Sequence, residues 1–403
     1  MFNVELLRCD VNQIIKQLVI DINPYDRTVE CAKKLKFKSG KKILISIGKA
    51  AYIMGKAICD EIDIDEGVII TKYGHSKGEI NNIEIFEAGH PILDENGILA
   101  SKKALELTTN LKENDNVILC ISGGGSALFE DPLIDLNELQ DINEQLIKSG
   151  ATINEINTIR KRLSRIKGGR FAIHCLPAHI CAIILSDVVG NDLSTIASGP
   201  VSVDKYTCAD ANKIISKYNI NVSNNIIDLL NIETPKIISN VDSYMVGSVE
   251  QLCIYTKQIC EELGYRANII KDDCKENVID VANSFSKLRL EENSAYIIGG
   301  ESLVEAKGNG LGGRNTELAL LCAKYIKNMN NVCFFTFGSD GTDGPTDAAG
   351  GYVDGYTYTK VDVDYYLKNN DSYHALEKID GLIKTGPTGT NINDVYVMLV
   401  KKR

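Results

Sequence analysis

No stretch of the 403 residues approaches the roughly 18 consecutive apolar residues that a membrane-spanning helix needs. The apolar run from His179 to Leu185 is only strand-sized. The start, Met1-Phe2-Asn3-Val4-Glu5, lacks the basic segment of a secretory signal, and its first apolar stretch is broken by charges. A cytoplasmic location is therefore expected. The 12 cysteines include no C-x-x-C pair, which removes the usual signature of a thiol redox site or a zinc ribbon. Several fall on apolar segments (Cys120, Cys181, Cys333) and are expected to be reduced thiols acting as small hydrophobes. Positive charge is not in excess: 44 Lys and Arg face 54 Asp and Glu, a net charge of -10. That argues against non-specific nucleic-acid binding, which depends on neutralising phosphates. It leaves room for an anionic small molecule in a local basic pocket. There is no G-x-x-x-x-G-K-[ST] phosphate loop, no repeat of fixed period and no low-complexity tract.

What is present is ordinary for a globular protein: 44% hydrophobic and 24% charged residues. At roughly 150 residues per domain the length suggests two or three domains. Strand and helix patterns alternate from Lys42 onward. Strands are expected at Lys42–Ile47, Val68–Thr71, Ile83–Ala88, Asn116–Ser122 and Ile180–Leu185, with helices between them. This alternation predicts an α/β fold built on a parallel sheet covered on both faces. Residues 200–240 are polar and Asn-rich, and a boundary is placed there, giving domains 1–240 and 241–403. A second alternation follows, with strands at Arg266–Ile270, Ala295–Ile298 and Cys333–Phe337 and a helix at Asn315–Lys327.

Glycine clusters gather where strands end, the edge at which open α/β sheets bind ligands. Lys49 lies between a strand and the first turn of a helix, where free N–H groups already favour an anion. Ser122-Gly123-Gly124-Gly125-Ser126 follows an apolar strand, and glycines let backbone N–H groups approach a phosphate or carboxylate without Cβ clashes. Gly308-Asn309-Gly310-Leu311-Gly312-Gly313 fits G-x-G-x-x-G, the sequence case for a dinucleotide fold. Against that stand Arg314 directly after the glycines and an acidic loop after the next strand. Asp340, Asp343 and Asp347 suit Mg²⁺ or a hydrated loop better than a ribose. His174, Cys175, His179 and Cys181 cluster like zinc ligands, but Leu176-Pro177 splits them and core packing is the preferred reading. His75 and His90 follow strands, without an evident Ser–Asp partner for a hydrolase triad.

Taken in order along the chain, these segments resemble the class II glycerate kinases. Ile47-Gly48-Lys49-Ala50-Ala51, Gly89-His90-Pro91, Ser122 to Ala127 and Ser186-Asp187-Val188 are similar to that family's N-terminal part. Gly299 to Ser302, Gly308 to Asn315, Gly338 to Gly350 and Gly386 to Asp394 are similar to its C-terminal MOFRL domain. The resemblance implies a Rossmann-like doubly wound domain, a second α/β domain to which the chain's last residues need not all belong, and a cleft between them. It implies ATP-dependent phosphorylation of D-glycerate to 2-phosphoglycerate with Mg²⁺, and leaves a homodimer open. Val189 stands where relatives often carry proline.

By the same resemblance Lys49 and Arg314 are the cations that meet charge developing on the transferred phosphoryl group. Asp187 is the first candidate for the base at the C2 hydroxyl and Glu301 the second. Ser122, Gly123, Gly124, Gly125 and Ser126 would hold a carboxylate or phosphate, with Glu301 and Asn315 also at the substrate. Asp340 or Asp343 would help hold Mg²⁺. Two other readings stay open: a nicotinamide-dependent hydroxypyruvate reductase, and a non-enzymatic phosphosugar-binding regulator. The presence of Arg314 and of the acidic loop disfavours the regulator.

Overall fold

A computed structural model describes residues 2–402. Two six-stranded sheets organise the chain. The first is built from β1 (Lys42–Ile47), β2 (Glu66–Lys72), β3 (Ile83–Ala88), β4 (Asn116–Ile121), β5 (His179–Leu185) and β6 (Val241–Gly247). Its order is β3-β2-β1-β4-β5-β6. The β2–β3, β1–β2, β1–β4 and β4–β5 pairs are all parallel. Strand β4 is buried along its whole length, as a strand covered on both faces must be, and its Val-Ile-Leu-Cys-Ile run has no alternation. The order reverses between β1 and β4, so this is the topological switch point of a doubly wound sheet. The loops leaving these two strands carry Lys49 and the Ser122–Ser126 glycines.

The second sheet contains β7 (Arg266–Cys274), β8 (Ser294–Gly300), β9 (Val332–Gly338), β10 (Gly350–Asp354), β11 (Leu382–Ile383) and β12 (Asp394–Val400), in the order β11-β10-β9-β12-β8-β7. It is mixed. β12 is antiparallel to both β9 and β8, while β7 and β8 are parallel. A core of Phe285, Phe334, Leu318, Tyr396 and Met398 packs on this sheet. Phe285 and Phe334 meet edge to face, with centroids 4.9 Å apart.

The chain divides into two compact units, and the division differs from the expected boundary at 240/241. One unit holds Pro24–Ser186 and Asn191–Val246; the other holds the residues up to Asn23, Asp187–Gly190 and Gly247–Arg403. The boundary moves because β6 still belongs to the first sheet. The first helix, Phe2–Asp21, joins the unit of the second sheet, where Leu7, Val11, Ile14 and Leu18 are buried. The last residues do not return to the first sheet: β12 is an apolar run, buried at every position, in the interior of the second.

All twelve cysteines are free thiols. Burial pushes Cys175 and Cys260 up to about 12, which keeps them protonated and inert. The zinc-like cluster is dispersed: His174 Nε2 meets the Leu105 carbonyl at 2.9 Å and His179 Nε2 meets Asp242 at 3.0 Å. Among the described residues no group of three His, Cys, Asp or Glu is placed to hold a metal ion. None of their helices is long and apolar enough to cross a membrane.

Candidate active site

In the first unit the loops after β1 and β4 are pressed together. A Cβ on Gly48 would lie 2.3 Å from Ser122 Oγ and 2.4 Å from the Ser122 carbonyl. Ser122 Oγ accepts from Ala50 N at 3.0 Å and donates to the Ile47 carbonyl at 3.1 Å. Lys49 N donates to the Gly123 carbonyl at 2.8 Å. The buried Ser122 side chain thus ties the two loops to each other, and the expectation that Ser122–Ser126 holds an anion concerns the backbone of this stretch.

The next three residues form the cradle. Gly124 has φ +89°, and a Cβ there would meet the His90 ring, Cδ2 at 2.9 Å and Nε2 at 3.0 Å, with Lys49 Cγ at 3.4 Å. Glycine is therefore required twice over, by backbone and by space. Gly125 is needed for contact, since its Cβ would lie 2.8 Å from that of Ala197. The N–H groups of Gly123, Gly124 and Ser126 have no acceptor among the described residues. Successive free N–H groups of this kind form an anion-binding concavity.

The charge around this cradle is positive and unneutralised. Neither Lys49 nor Lys72, at the end of β2, has an ion-pair partner within 4.0 Å among the described residues. His75 Nδ1 meets the Lys49 carbonyl at 3.1 Å. His90 is half-buried, and burial followed by the charges of Lys49, Lys72 and His75 pushes its pKa below the usual histidine range. Beneath the loop, the Ser126 carbonyl accepts from Arg160 Nη2 at 3.0 Å and from Lys167 Nζ at 2.9 Å. Lys167 is fully buried beside Glu130, and burial brings it down to about 8. Ser126 Oγ meets Ser198 Oγ at 3.1 Å. Ala197 and Ser198 hold φ of +50° and +59°, left-handed conformations that cost a non-glycine residue of order 1 kcal/mol or more and concentrate at functional sites. Gly168 N and Gly169 N pin that turn by donating to the Ser198 and Gly199 carbonyls. Asp187, two residues beyond the end of β5 and in the short stretch that belongs to the other unit, is half-buried.

In the second unit Arg314 opens the helix Arg314–Cys322. Its Nε and Nη2 grip Asp394 at 2.6 and 3.2 Å, and its Nη1 reaches Glu301 at 2.9 Å. Asp394, the first residue of β12, is buried. Burial pushes its carboxyl up, to about 6, against the pull of Arg314. Burial also works against the charge on Arg314, but Asp394 and Glu301 outweigh it and hold the guanidinium protonated. The guanidinium is thus held in one orientation, with 32% of the side chain still exposed. Two of its five N–H groups are left without an acceptor among the described residues. Asn315 Oδ1, Thr390 Oγ1 and Asn393 Nδ2 are buried and partnerless among the described residues. Unspent polar atoms of this kind call for a ligand or water.

The acidic loop does not form a metal cage. Asp343 was expected as a metal ligand, but it accepts from Asn315 N, Thr316 N and Thr316 Oγ1 at 2.9, 2.8 and 2.7 Å. Both its oxygens serve the start of the Arg314 helix. Asp340 is half-exposed, and among the described residues its carboxylate accepts from Thr342 N alone, at 3.0 Å. The loop is fastened to the Gly386–Asp394 stretch: Ser339 N donates to the Asn393 carbonyl at 3.0 Å, and Ile392 N to Ser339 Oγ at 2.8 Å. Nor do the G-x-G-x-x-G glycines shape a dinucleotide cradle. Cβ atoms on Gly308, Gly310 and Gly312 would strike Asn369, Asp371 and Ser372 at 2.1–2.4 Å. These glycines admit another segment of the chain. Between β8 and β9, where a dinucleotide fold would have adjacent parallel strands, lies antiparallel β12.

Sequence reasoning singled out Lys49, Arg314 and the glycine loop, and missed Asp394 and Lys72. Asp394 closes a stretch already quoted, but a carboxylate at the start of a strand carries no signal of its arginine partner 80 residues away.

Residues 2–231 match a family described as a domain of unknown function, DUF4147. Residues 294–394 match the MOFRL family. A D-glycerate 2-kinase of Thermotoga maritima is 44% identical, over 99% of this chain and 100% of its own. A glycerate 2-kinase of Pyrococcus horikoshii is 38% identical, over 94% of this chain and 91% of its own. The crystal structure of a glycerate kinase from Thermotoga maritima superposes with a TM-score of 0.95 at 43% identity, covering 98% of this chain and 100% of that one. The chain belongs to the class II, MOFRL-containing glycerate 2-kinase family.

Proposed function

We propose that this protein transfers the γ-phosphoryl group of ATP to the C2 hydroxyl of D-glycerate, giving 2-phosphoglycerate and ADP. The observation that carries the reading is end-to-end similarity to a D-glycerate 2-kinase at 44% identity. The polar clusters described above support it, because phosphoryl transfer asks for positioning and charge neutralisation more than covalent chemistry. In this reading the N–H groups of Gly123, Gly124 and Ser126, with Lys49, hold an anionic group. Arg314, kept in one orientation by Asp394 and Glu301, offers its two remaining N–H groups to phosphoryl oxygens. Asp187, which follows β5 at the carboxyl edge of the first sheet, is assigned to receive the hydroxyl proton, and Glu301, engaged on Arg314, to orient that guanidinium. Asn315, with its unspent Oδ1, is assigned to substrate.

Of the two aspartates expected at a metal, Asp340 alone retains an uncommitted oxygen. Mg²⁺ takes one or two carboxylates and otherwise waters and phosphates, so a single Asp fits a metal that arrives with the nucleotide. When bound, it neutralises charge on the nucleotide phosphates. The hydroxypyruvate reductase alternative loses its main support, since the Gly308–Gly313 glycines are filled by residues 369–372. The test is to incubate the protein with D-glycerate, ATP and a magnesium salt and to identify the product by phosphorus NMR. A 3-phosphoglycerate signal overturns the regiochemistry; no phosphoglycerate overturns the function.

A further inference from the structure

Five histidines occur in the chain, and four of them are spoken for. His75 meets the Lys49 carbonyl, His174 that of Leu105, His179 meets Asp242 and His374 meets Asp371. His90 alone has no hydrogen-bond partner among the described residues. Its ring lies over Gly124, Nε2 3.0 Å from the point a Cβ would occupy, and faces the same glycine as the Lys49 stem. The groups that act on it from the neighbouring loops are Lys49 after β1, Lys72 at the end of β2 and His75 beyond it, all basic. The carboxylates of its own segment are used elsewhere. Glu87 accepts from Ser76 N and Oγ, and Asp94 from Gly97 N and the Tyr73 hydroxyl. A half-buried imidazole among unneutralised cations stays neutral until a negative charge arrives, and an arriving anion reverses the sign of its surroundings.

We propose that His90 is a ligand-contacting residue of this cradle, hydrogen-bonding the anionic group held by Gly123, Gly124 and Lys49 and taking up one proton from solvent as that group binds. This rests on the reading of the cradle as a substrate site. It makes anion binding and protonation one coupled event. The bound charge is then met by two cations, Lys49 and an imidazolium, although the empty site holds the imidazole uncharged. The shared chemistry of the ligand is a carboxylate or phosphate, so D-glycerate and ADP are the two probes.

The experiment is titration calorimetry of each probe at pH 7 in two buffers of different ionisation enthalpy, which counts protons bound with the ligand. For the probe that enters the cradle, a substantial fraction of one proton is taken up by the wild type. His90→Gln, which keeps a hydrogen-bonding amide but cannot become charged at this pH, abolishes the uptake and weakens that probe on the order of tenfold, the size of one charge-assisted hydrogen bond. The other probe is unaffected. His90→Asn gives the same result and guards against a packing artefact of one variant, with melting temperature confirming that both are folded. Proton uptake that persists in the variants, or is absent in the wild type with both probes, overturns the proposal. The kinase reading fails separately: a wild type that shows the coupled proton but makes no phosphoglycerate keeps the site and loses the reaction.

Discussion

Lys49 and Arg314 are both cations at the start of helices, yet they are held differently and should fail differently. Lys49 has no ion pair among the described residues, and its stem rests beside Gly124. Lys49→Ala is expected to lower kcat/KM by about 10²-fold, near 2.7 kcal/mol at 1.36 kcal/mol per tenfold, with little change in melting temperature. Arg314 is the partner of a buried carboxylate, so Arg314→Ala removes a charge clamp and also leaves Asp394 stranded. Breaking a buried pair costs about 3–5 kcal/mol. A loss of that order should therefore accompany the loss of turnover in urea unfolding at pH 8. The cost should shrink below pH 6, where Asp394, already raised to about 6, takes a proton and no longer needs a countercharge. Arg314→Lys keeps charge without the fork and should turn over almost as poorly as alanine; near-normal kcat in either variant removes Arg314 from the mechanism. Gly124→Ala tests the cradle itself. A methyl 2.9 Å from the His90 ring at φ +89° should cost activity well beyond the roughly 1 kcal/mol of backbone strain, seen as a kcat/KM loss far larger than the melting shift explains.

At the scale of elements, the helix Arg314–Cys322 carries a second buried acid, Glu317, which accepts from Asn370 Nδ2 at 3.2 Å. Burial pushes its pKa up from 4.5 to about 7. Between those values the folded protein holds a proton that the unfolded chain releases, so this group's contribution to stability is full below pH 4.5 and is lost as pH rises through 7. Glu317→Gln should therefore be more stable than wild type at pH 8, by about 1–3 kcal/mol, and indistinguishable from it near pH 4.5. Equal stability at pH 8 in denaturant titrations would show that Glu317 is not the group responsible. Short β-rich runs closed by a glycine were the most legible: β1 ends before Gly48 and β3 before Gly89, and both lie at the residues expected for them. Their signal is local. The expected helix 315–327 instead runs Arg314–Cys322, since a helical pattern continues through turns that only hydrogen bonding can end. The fate of the G-x-G-x-x-G tract was not legible at all. Glycine marks a close approach, but sequence does not say whether a pyrophosphate or Asn369 makes it.

For the whole molecule, the parallel order of the first sheet could be foreseen from alternation, whereas the second sheet could not. The placement of β12 between β9 and β8 depends on pairing with residues 56–106 positions away in sequence, from Asp394 with Gly338 to Val400 with Ser294. The helix Phe2–Asp21 likewise finds its partners far along the chain: Asp10 meets the Tyr265 hydroxyl and Lys401 Nζ. Deleting residues 1–23 should therefore destabilise the second-sheet unit although no site residue is removed. Limited proteolysis is expected to cut that unit first and to spare the other. Equal resistance of both units would contradict the assignment of this helix. A melting curve of the deletion should also lose single-step behaviour, because only one unit has lost buried surface.

Strand β12 also sets a clock on synthesis. A ribosome delivers the first sheet complete once β6 has emerged, and that unit can close while translation continues. The second sheet has to wait, because one of its interior strands is its last-made strand, and the helix Phe2–Asp21 waits with it for nearly the entire message. Until residue 400 clears the exit tunnel, β8 and β9 both lack a neighbour and Arg314 lacks Asp394. A nascent chain stalled or terminated after residue 393 would thus carry nearly every residue of the reaction and still expose two open strand edges, a product for proteases rather than for metabolism.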